Sequence, residues 1–482
     1  MSRALAVARA QRVIDSGAFA ATLARRVRCA TESENADQAA PALQAYLDDE
    51  IAPALAPLGF AVQRVANPVD ARLPMLIAQR IESPALPTVL MYAHGDVVRG
   101  HAAQWRDGLA PWALTVEGDR WYGRGTADNK GQHSINLAAL EQVIAARAGR
   151  LGFNVKLLVE MGEEAGSPGL REVCEQHREA LRADLFLASD GPRVQAERPT
   201  LFLGSRGALN FELRLPLRER SYHSGNWGGL LANPAVVLAN AVASLVDERG
   251  RIRVEALRPA AIPASVTRAL EDIEVGGGED DPRIDAHWGE PGLTPAQRVI
   301  GWNSLEVLAM SAGNPAQPVG AIPGRAQVWC QLRFVVGTRL DDIAPALRAH
   351  LDAAGFGQVE LHFGASAEAT RLDPDDAWVA WAMDSIARTT GRRPALLPNL
   401  GGSLPNDIFA GLLGLPTLWV PHSYPACAQH APNEHLLASV AREGLAVMAG
   451  LFWDLGESGA ALRTARAAAL MDARAVACEA RS

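Results

Sequence analysis

The sequence has little with which to cross-link itself. Its five cysteines, Cys29, Cys174, Cys330, Cys427 and Cys478, are odd in number, scattered, and never form a CxxC pair. That pattern argues against a disulfide framework and against a thiolate zinc site. Reduced cysteines in a cytoplasmic enzyme are the expectation. No uninterrupted apolar run reaches about 18 residues, so no membrane-spanning helix is expected. Basic residues are fewer than acidic ones, 46 against 54, and no long basic run occurs. A net charge of −8 makes nucleic acid and anionic membranes poor partners. The N-terminal stretch lacks the apolar core of a signal peptide, because Arg3, Arg9, Arg12 and Asp15 interrupt it. A first helix is expected there, and Asp15 fits the alternative, a transit peptide, badly. No internal repeat is visible.

What remains is 48% hydrophobic and 21% charged, the balance of a globular protein. At 482 residues it exceeds one ordinary core, so two domains are expected. Residues 1–60 read as helices, with Leu43, Tyr46, Leu47, Ile51 and Leu55 at helical spacing. Short apolar runs follow at 76–78, 89–93, 155–160 and 185–188, with helices at 134–147 and 168–181 between them. This alternation predicts an α/β domain, a central mixed sheet with helices on both faces. Near Gly204 the pattern changes to alternating strands at 208–216, 325–336 and 358–364, with helices at 234–247 and 341–354. It predicts an inserted α+β domain whose sheet is covered on one face. Residues 273–296, rich in Gly, Asp, Glu and Pro, read as a long loop. From about 375 the first domain resumes with a helix at 376–390, a turn at 400–406, a strand at 416–420 and a helix at 434–455, before an Ala- and Arg-rich tail helix. The expected division is 1–204 and 372–482 for one domain, and 205–371 for the insert.

Five segments place acidic groups or histidine after a predicted strand, where sites collect in open α/β sheets. His94-Gly95-Asp96 pairs an imidazole with a carboxylate on one side of an extended chain, so Asp96 can help to orient His94. Asp128 lies in Gly123–Gly131, whose spacing is not that of a phosphate cradle. It can bridge two cations or cap the following helix. Glu163 and Glu164 are adjacent between glycines, and two like charges there are tolerated best beside a cation. Asp190 opens an Asp-Gly-Pro turn. His430 precedes Pro432-Asn433-Glu434, a helix-start pattern, with His435 structural. Each segment alone has a commonplace reading as turn, cap or solvated carboxylate. Together they supply two imidazoles and several carboxylates without thiolate, a set suited to zinc, with manganese or cobalt possible.

In this order the motifs AHGDVV, GRGTADNKG, MGEEAGS, SDGP and QHAPNEH resemble the zinc-dependent aminoacylase, carboxypeptidase and dipeptidase family. That family includes carnosinases, succinyl-diaminopimelate desuccinylases, acetylornithine deacetylases and glutamate carboxypeptidase. The resemblance covers nearly the whole chain and is nearest to the dipeptidase-like members. It implies that His94 and Asp190 hold one metal ion, Glu164 and His430 a second, and that Asp128 bridges them, often with a cis peptide just after it. Glu163 would be the general base for a metal-bridging hydroxide, and Asp96 would orient His94. The insert resembles a lid and dimerisation domain. Within it, His223 in Tyr222–Gly229 would stabilise the oxyanion in a partner subunit's site. Arg333 would clamp a substrate carboxylate, and Gly401, Gly402 and Ser403 would hold the substrate's carboxyl end. The implied substrate is a dipeptide or small peptide. The alternatives are an N-acyl amino acid substrate, a thiol hydrolase using Cys427 near His430, and a nonenzymatic binding protein on the same scaffold. A homodimer is the implied assembly. The loop at 273–296 and the tail beyond 456 depart from the family pattern.

Overall fold

A computed structural model describes residues 2–276 and 282–471 in full, and the backbone of 472–479. Residues 277–281 of the expected long loop, and the side chain of Cys478, lie outside the described residues. The chain divides into two compact units: residues 1–203, 372–397 and 408–482, and residues 204–371 with 398–407.

The first unit is built on an eight-stranded mixed sheet. Its order is Ala61–Val65, Met75–Arg80, Asn154–Glu160, Thr88–His94, Leu185–Ala188, Thr417–Trp419, Thr200–Phe202 and Ala395–Leu397. Four of these strands run parallel in the middle: Thr88–His94 pairs in parallel with Asn154–Glu160 and with Leu185–Ala188, which pairs in parallel with Thr417–Trp419. Their carboxyl ends therefore share one edge. The interior strands are apolar on both faces because both are covered. Val89, Met91 and Ala93 face the main core, which includes residues of the helices Arg3–Asp15, Lys130–Ala146 and Ala377–Thr390. Period-two alternation sends Tyr92, Phe186 and Trp419 into an aromatic cluster, where Phe409 stacks on Phe186 at 4.3 Å between ring centroids. Among the described residues no helix is long and apolar enough to cross a membrane.

The second unit holds a four-stranded antiparallel sheet, ordered Ser304–Ala312, Arg325–Phe334, Gly207–Pro216 and Glu360–Ala367. The helices Pro234–Leu245 and Leu340–Ala353 cover one face, with Leu238, Ile343 and Leu347 packed on Phe211, Val328, Leu332 and Phe334. The other face carries Asn210, Gln331 and Arg333, the alternate residues.

Three expectations need correction. The helix expected from Glu434 begins at Ala438, because His435–Leu437 is a strand paired antiparallel with Arg120–Tyr122. That helix runs unbroken from Ala438 to Glu479, so the tail is its continuation and not one more helix. The helix expected at 168–181 is two, Leu170–Gln176 and Arg178–Leu181. The strand Ser304–Ala312 escaped the sequence reading because it lies at a sheet edge and a bulge between Val307 and Ala309 breaks its alternation.

Candidate metal centre

The shared edge of the parallel strands concentrates the acidic and imidazole side chains. His94 is the last residue of Thr88–His94. Glu163 and Glu164 follow Asn154–Glu160 by one short turn, and Asp190 follows Leu185–Ala188. Asp128 arrives on the loop before the helix Lys130–Ala146, and the strand Thr417–Trp419 leads towards His430. All six belong to the first unit.

They form two groups that share one residue. His94, Asp128 and Asp190 each offer a ligand atom within 4.8 Å of the others, and so do Asp128, Glu164 and His430. His94 Nε2 lies 3.0 Å from Asp128 Oδ1 and 3.5 Å from Asp190 Oδ2. His430 Nε2 lies 2.9 Å from Asp128 Oδ2 and 3.0 Å from Glu164 Oε2. The two oxygens of Asp128 thus face different groups. Asp128 does not cap the helix, which begins at Lys130 after Asn129, and the Asp128–Asn129 peptide is cis.

The electrostatics are those of crowded carboxylates. Burial raises the Glu164 carboxyl to about 7, with Asp128 adding to the rise and His430 opposing it. Burial also lifts Glu163 well above the carboxylate range, His94 opposing, while Asp190, Glu164 and Asp128 add to the rise. His430 is raised to about 11 by its hydrogen bonds to Asp128 and Glu164. Two imidazoles cannot balance the carboxylates Asp96, Asp128, Glu163, Glu164 and Asp190. The buried Asp190 Oδ2 has no hydrogen-bond partner. An orphaned carboxylate oxygen beside an imidazole is what a cation would satisfy, so the residues present fit a pair of divalent ions.

The supports of this cluster come from distant parts of the chain. Asp96 accepts the backbone N–H of Glu163 at 3.2 Å and of Glu164 at 3.0 Å, which ties the first motif to the third. Its Oδ1 also lies 3.4 Å from His94 Nδ1, with its backbone oxygen at 3.2 Å. Glu434, read from sequence as a first-turn helix residue, is buried. It accepts Nη1 of Arg124 at 2.9 Å and the backbone N–H groups of Gly125, Ala127 and Asp128 at 2.9–3.0 Å. This carboxylate shapes the loop that carries Asp128. Gly131 closes the same loop, since a Cβ there would lie 1.9 Å from Thr126 O. Gln429 Nε2 donates to Asp128 Oδ2. Arg124, Gln429 and Glu434 were missed as site residues, although they sit inside the GRGTADNKG and QHAPNEH motifs that were singled out. His435 is structural, its Nε2 2.5 Å from the Tyr424 hydroxyl. Cys427 is buried and its thiol is pushed up to about 11 by that burial, which opposes a thiolate nucleophile.

The remaining expected site residues, His223, Arg333, Gly401, Gly402 and Ser403, fall in the second unit. His223 is exposed, and its Nδ1 accepts the Gly225 N–H at 3.1 Å. Arg333 is half-buried; its Nη1 donates to Ser403 Oγ at 2.8 Å and its Nε to Gln331 Oε1 at 2.8 Å. Gly401 O accepts from Arg206 Nε at 2.9 Å, and Arg206 was not anticipated from sequence.

Comparison with known proteins gives a consistent picture. The model of peptidase family M20/M25/M40 matches residues 90–454. The cysteinylglycine-S-conjugate dipeptidase of Corynebacterium striatum is 29% identical over 333 residues, 66% of this chain and 70% of that protein. The beta-Ala-His dipeptidase of Rattus norvegicus is 35% identical over 187 residues, so the match spans only 38% of this chain and 37% of that protein. Among solved structures, the dipeptidase Dug1p from Saccharomyces cerevisiae superposes with a TM-score of 0.74 at 21% identity, over 95% of this chain and all of that one. The metallo-carboxypeptidase Sso-CP2 from Sulfolobus solfataricus gives 0.74 at 24% identity, over 91% and 99%. At those identities the structural likeness establishes the two-domain mixed α/β fold.

Proposed function

The chain belongs to peptidase family M20/M25/M40 and is by family a metal-dependent peptidase; from that premise we propose that it hydrolyses the amide bond of dipeptides or short peptides with a free carboxyl end. The observation that carries this reading is the pair of three-residue groups joined through Asp128. His94 and Asp190 would hold one divalent cation, Glu164 and His430 the other, with Asp128 shared. The donor set of imidazole and carboxylate favours zinc, with manganese or cobalt as substitutes.

When bound, two such ions lower the pKa of a water towards about 7 and polarise the scissile carbonyl. The chain's own residues do the rest. Glu163 is adjacent to the ligand Glu164 but belongs to neither group, which leaves its carboxylate free for proton transfer. It takes the proton of the attacking water and passes it to the leaving amine. Asp96 keeps His94 and the Glu163–Glu164 turn in register through the contacts described above. His223 supplies an oxyanion donor: its Nδ1 is engaged as an acceptor, which leaves Nε2 to donate. Arg333 and Ser403, hydrogen-bonded to each other, receive the substrate carboxylate together with Gly401 and Gly402.

The test is turnover of a panel of dipeptides, N-acetyl amino acids and N-succinyl amino acids by chelator-stripped protein restored with zinc, manganese or cobalt. Dipeptides are expected to be cleaved only after metal is restored. Exclusive turnover of the N-acyl compounds would replace the peptidase reading by a deacylase. In Glu163→Gln, metal content is expected to stay at the wild-type value while kcat falls by about 10²–10⁴-fold. A variant with unchanged kcat would remove Glu163 from the role of base.

A further inference from the structure

The second unit encloses a cavity of about 470 Å³, well within the size range of small-ligand sites. One end is polar. Arg206 and Arg333 line it with Gln331 and Glu306, the residue paired with Gln331 across the sheet. Arg206 is only 9% exposed, and Ser403 links the two arginines: its Oγ accepts from Arg333 at 2.8 Å and donates to Arg206 O at 3.0 Å. Among the described residues no carboxylate stands within ion-pair distance of either guanidinium. Burial, followed by the charge of Arg333, lowers Arg206 to about 10, with Glu306 opposing. Two like charges near one another are favoured by an anion that joins them, and Arg206 is the more buried of the pair.

The other end is apolar and exposed. Trp288, Ile284 and Val299 line the same cavity and remain 52%, 46% and 37% exposed. Large apolar side chains gathered at one opening mark a site for a ligand. The Trp288 wall is anchored. Its indole lies over Gly250, where φ is +74° and a Cβ would come within 2.5 Å of the ring. Its carbonyl accepts from Arg298 Nη1 at 2.5 Å, and the neighbouring Glu290 is paired with Arg258 at 2.9 Å. The two ends adjoin, since a Cβ on Gly401, the residue whose carbonyl holds Arg206, would lie 3.1 Å from Val299 Cγ1.

We propose that this cavity binds a carboxylate attached to a large apolar, preferably aromatic, side chain. Arg206 acts with Arg333 and Ser403 on the carboxylate, and Trp288, Trp302, Ile284 and Val299 receive the side chain. Peptides ending in a bulky apolar residue are then the favoured substrates, and glycine-ended ones are poor. The substrate clause rests on the peptidase reading; the binding clause does not. The Ile284–Trp288 stretch, which matched nothing in the family pattern, is on this account the specificity element.

Two measurements separate the clauses. Calorimetry on the full chain compares 3-phenylpropionate with propionate, which lacks the ring, and 3-phenylpropanol, which lacks the charge. The phenyl acid is expected to bind about tenfold tighter than either, or more, the scale of burying an aromatic ring. Trp288→Ala should erase the advantage over propionate, and Arg206→Met should erase the advantage over the alcohol. Phe363→Ala, an exposed change on the strand Glu360–Ala367, serves as the control for both. Equal affinities for the three probes, or no binding, overturn the proposal, provided circular dichroism shows the variants folded. Turnover of Ala-Phe against Ala-Gly should favour Ala-Phe about tenfold in kcat/KM, mainly through KM, with the ratio collapsing in Trp288→Ala. A ratio near one overturns the substrate class. Selective binding of the phenyl acid without hydrolysis of any dipeptide leaves the cavity assignment standing and removes the peptidase reading.

Discussion

Glu434 carries more structural weight than its place in the sequence suggests. Its carboxylate takes one guanidinium and three backbone N–H groups from the loop that ends in Asp128, all buried. Removing it leaves Arg124 buried without its counter-charge. Glu434→Ala is expected to cost about 3–5 kcal/mol in a urea titration and to lower metal occupancy, because Asp128 loses its frame. A loss below about 1 kcal/mol, the scale of an exposed pair, would show that the loop holds itself. At this scale the candidate ligands were legible because His94, Asp128, Glu164 and Asp190 lie in short glycine-containing motifs and His430 in a short Pro- and Asn-containing one. The supports were not legible. Arg124 and Glu434 are 310 positions apart, and nothing local to either names the other. Arg206 was hidden for the same reason: its partner is the carbonyl of Gly401.

The decisive elements are the parallel strands Thr88–His94, Asn154–Glu160 and Leu185–Ala188, whose carboxyl ends bring four of the acidic and imidazole positions to one edge. Their apolar runs were readable directly. The edge strand Ser304–Ala312 was not, because exposure on both faces and a bulge erase the period-two signal. The segment after Thr417–Trp419 carries a further consequence. His422 is fully buried, with Nε2 3.3 Å from Asn136 Oδ1 and Nδ1 without a partner. Burial, helped by Arg193, holds it well below 6.5. The unfolded chain therefore binds a proton that the folded chain refuses once pH drops below about 6.5. The stability difference between wild type and His422→Gln should be constant above pH 7. Below pH 6.5 it should shift against the wild type by up to about 1.4 kcal/mol per pH unit. A difference that stays flat from pH 7.5 to 5 would mean that His422 titrates alike in both states.

For the whole molecule, residues 398–407 group with 204–371 in the second unit. That placement was not readable from a turn-rich segment whose partners are long-range. The homodimer that the family resemblance implies would use the second unit, where the edge strand Ser304–Ala312 leaves Val307, Leu308 and Met310 exposed. Light scattering is expected to give twice the chain mass, and His223→Ala to lower kcat about 10²–10³-fold without changing that mass. A monomer with full activity would contradict both.

A pair of cations sharing Asp128 would be counted by titrating chelator-stripped protein with zinc while following bound metal and dipeptide turnover together. Two ions per chain are expected, with turnover rising as the second site fills and a stoichiometry reduced to one in His430→Ala. Full turnover by the stripped protein, or saturation at one ion in the wild type, would contradict that pair.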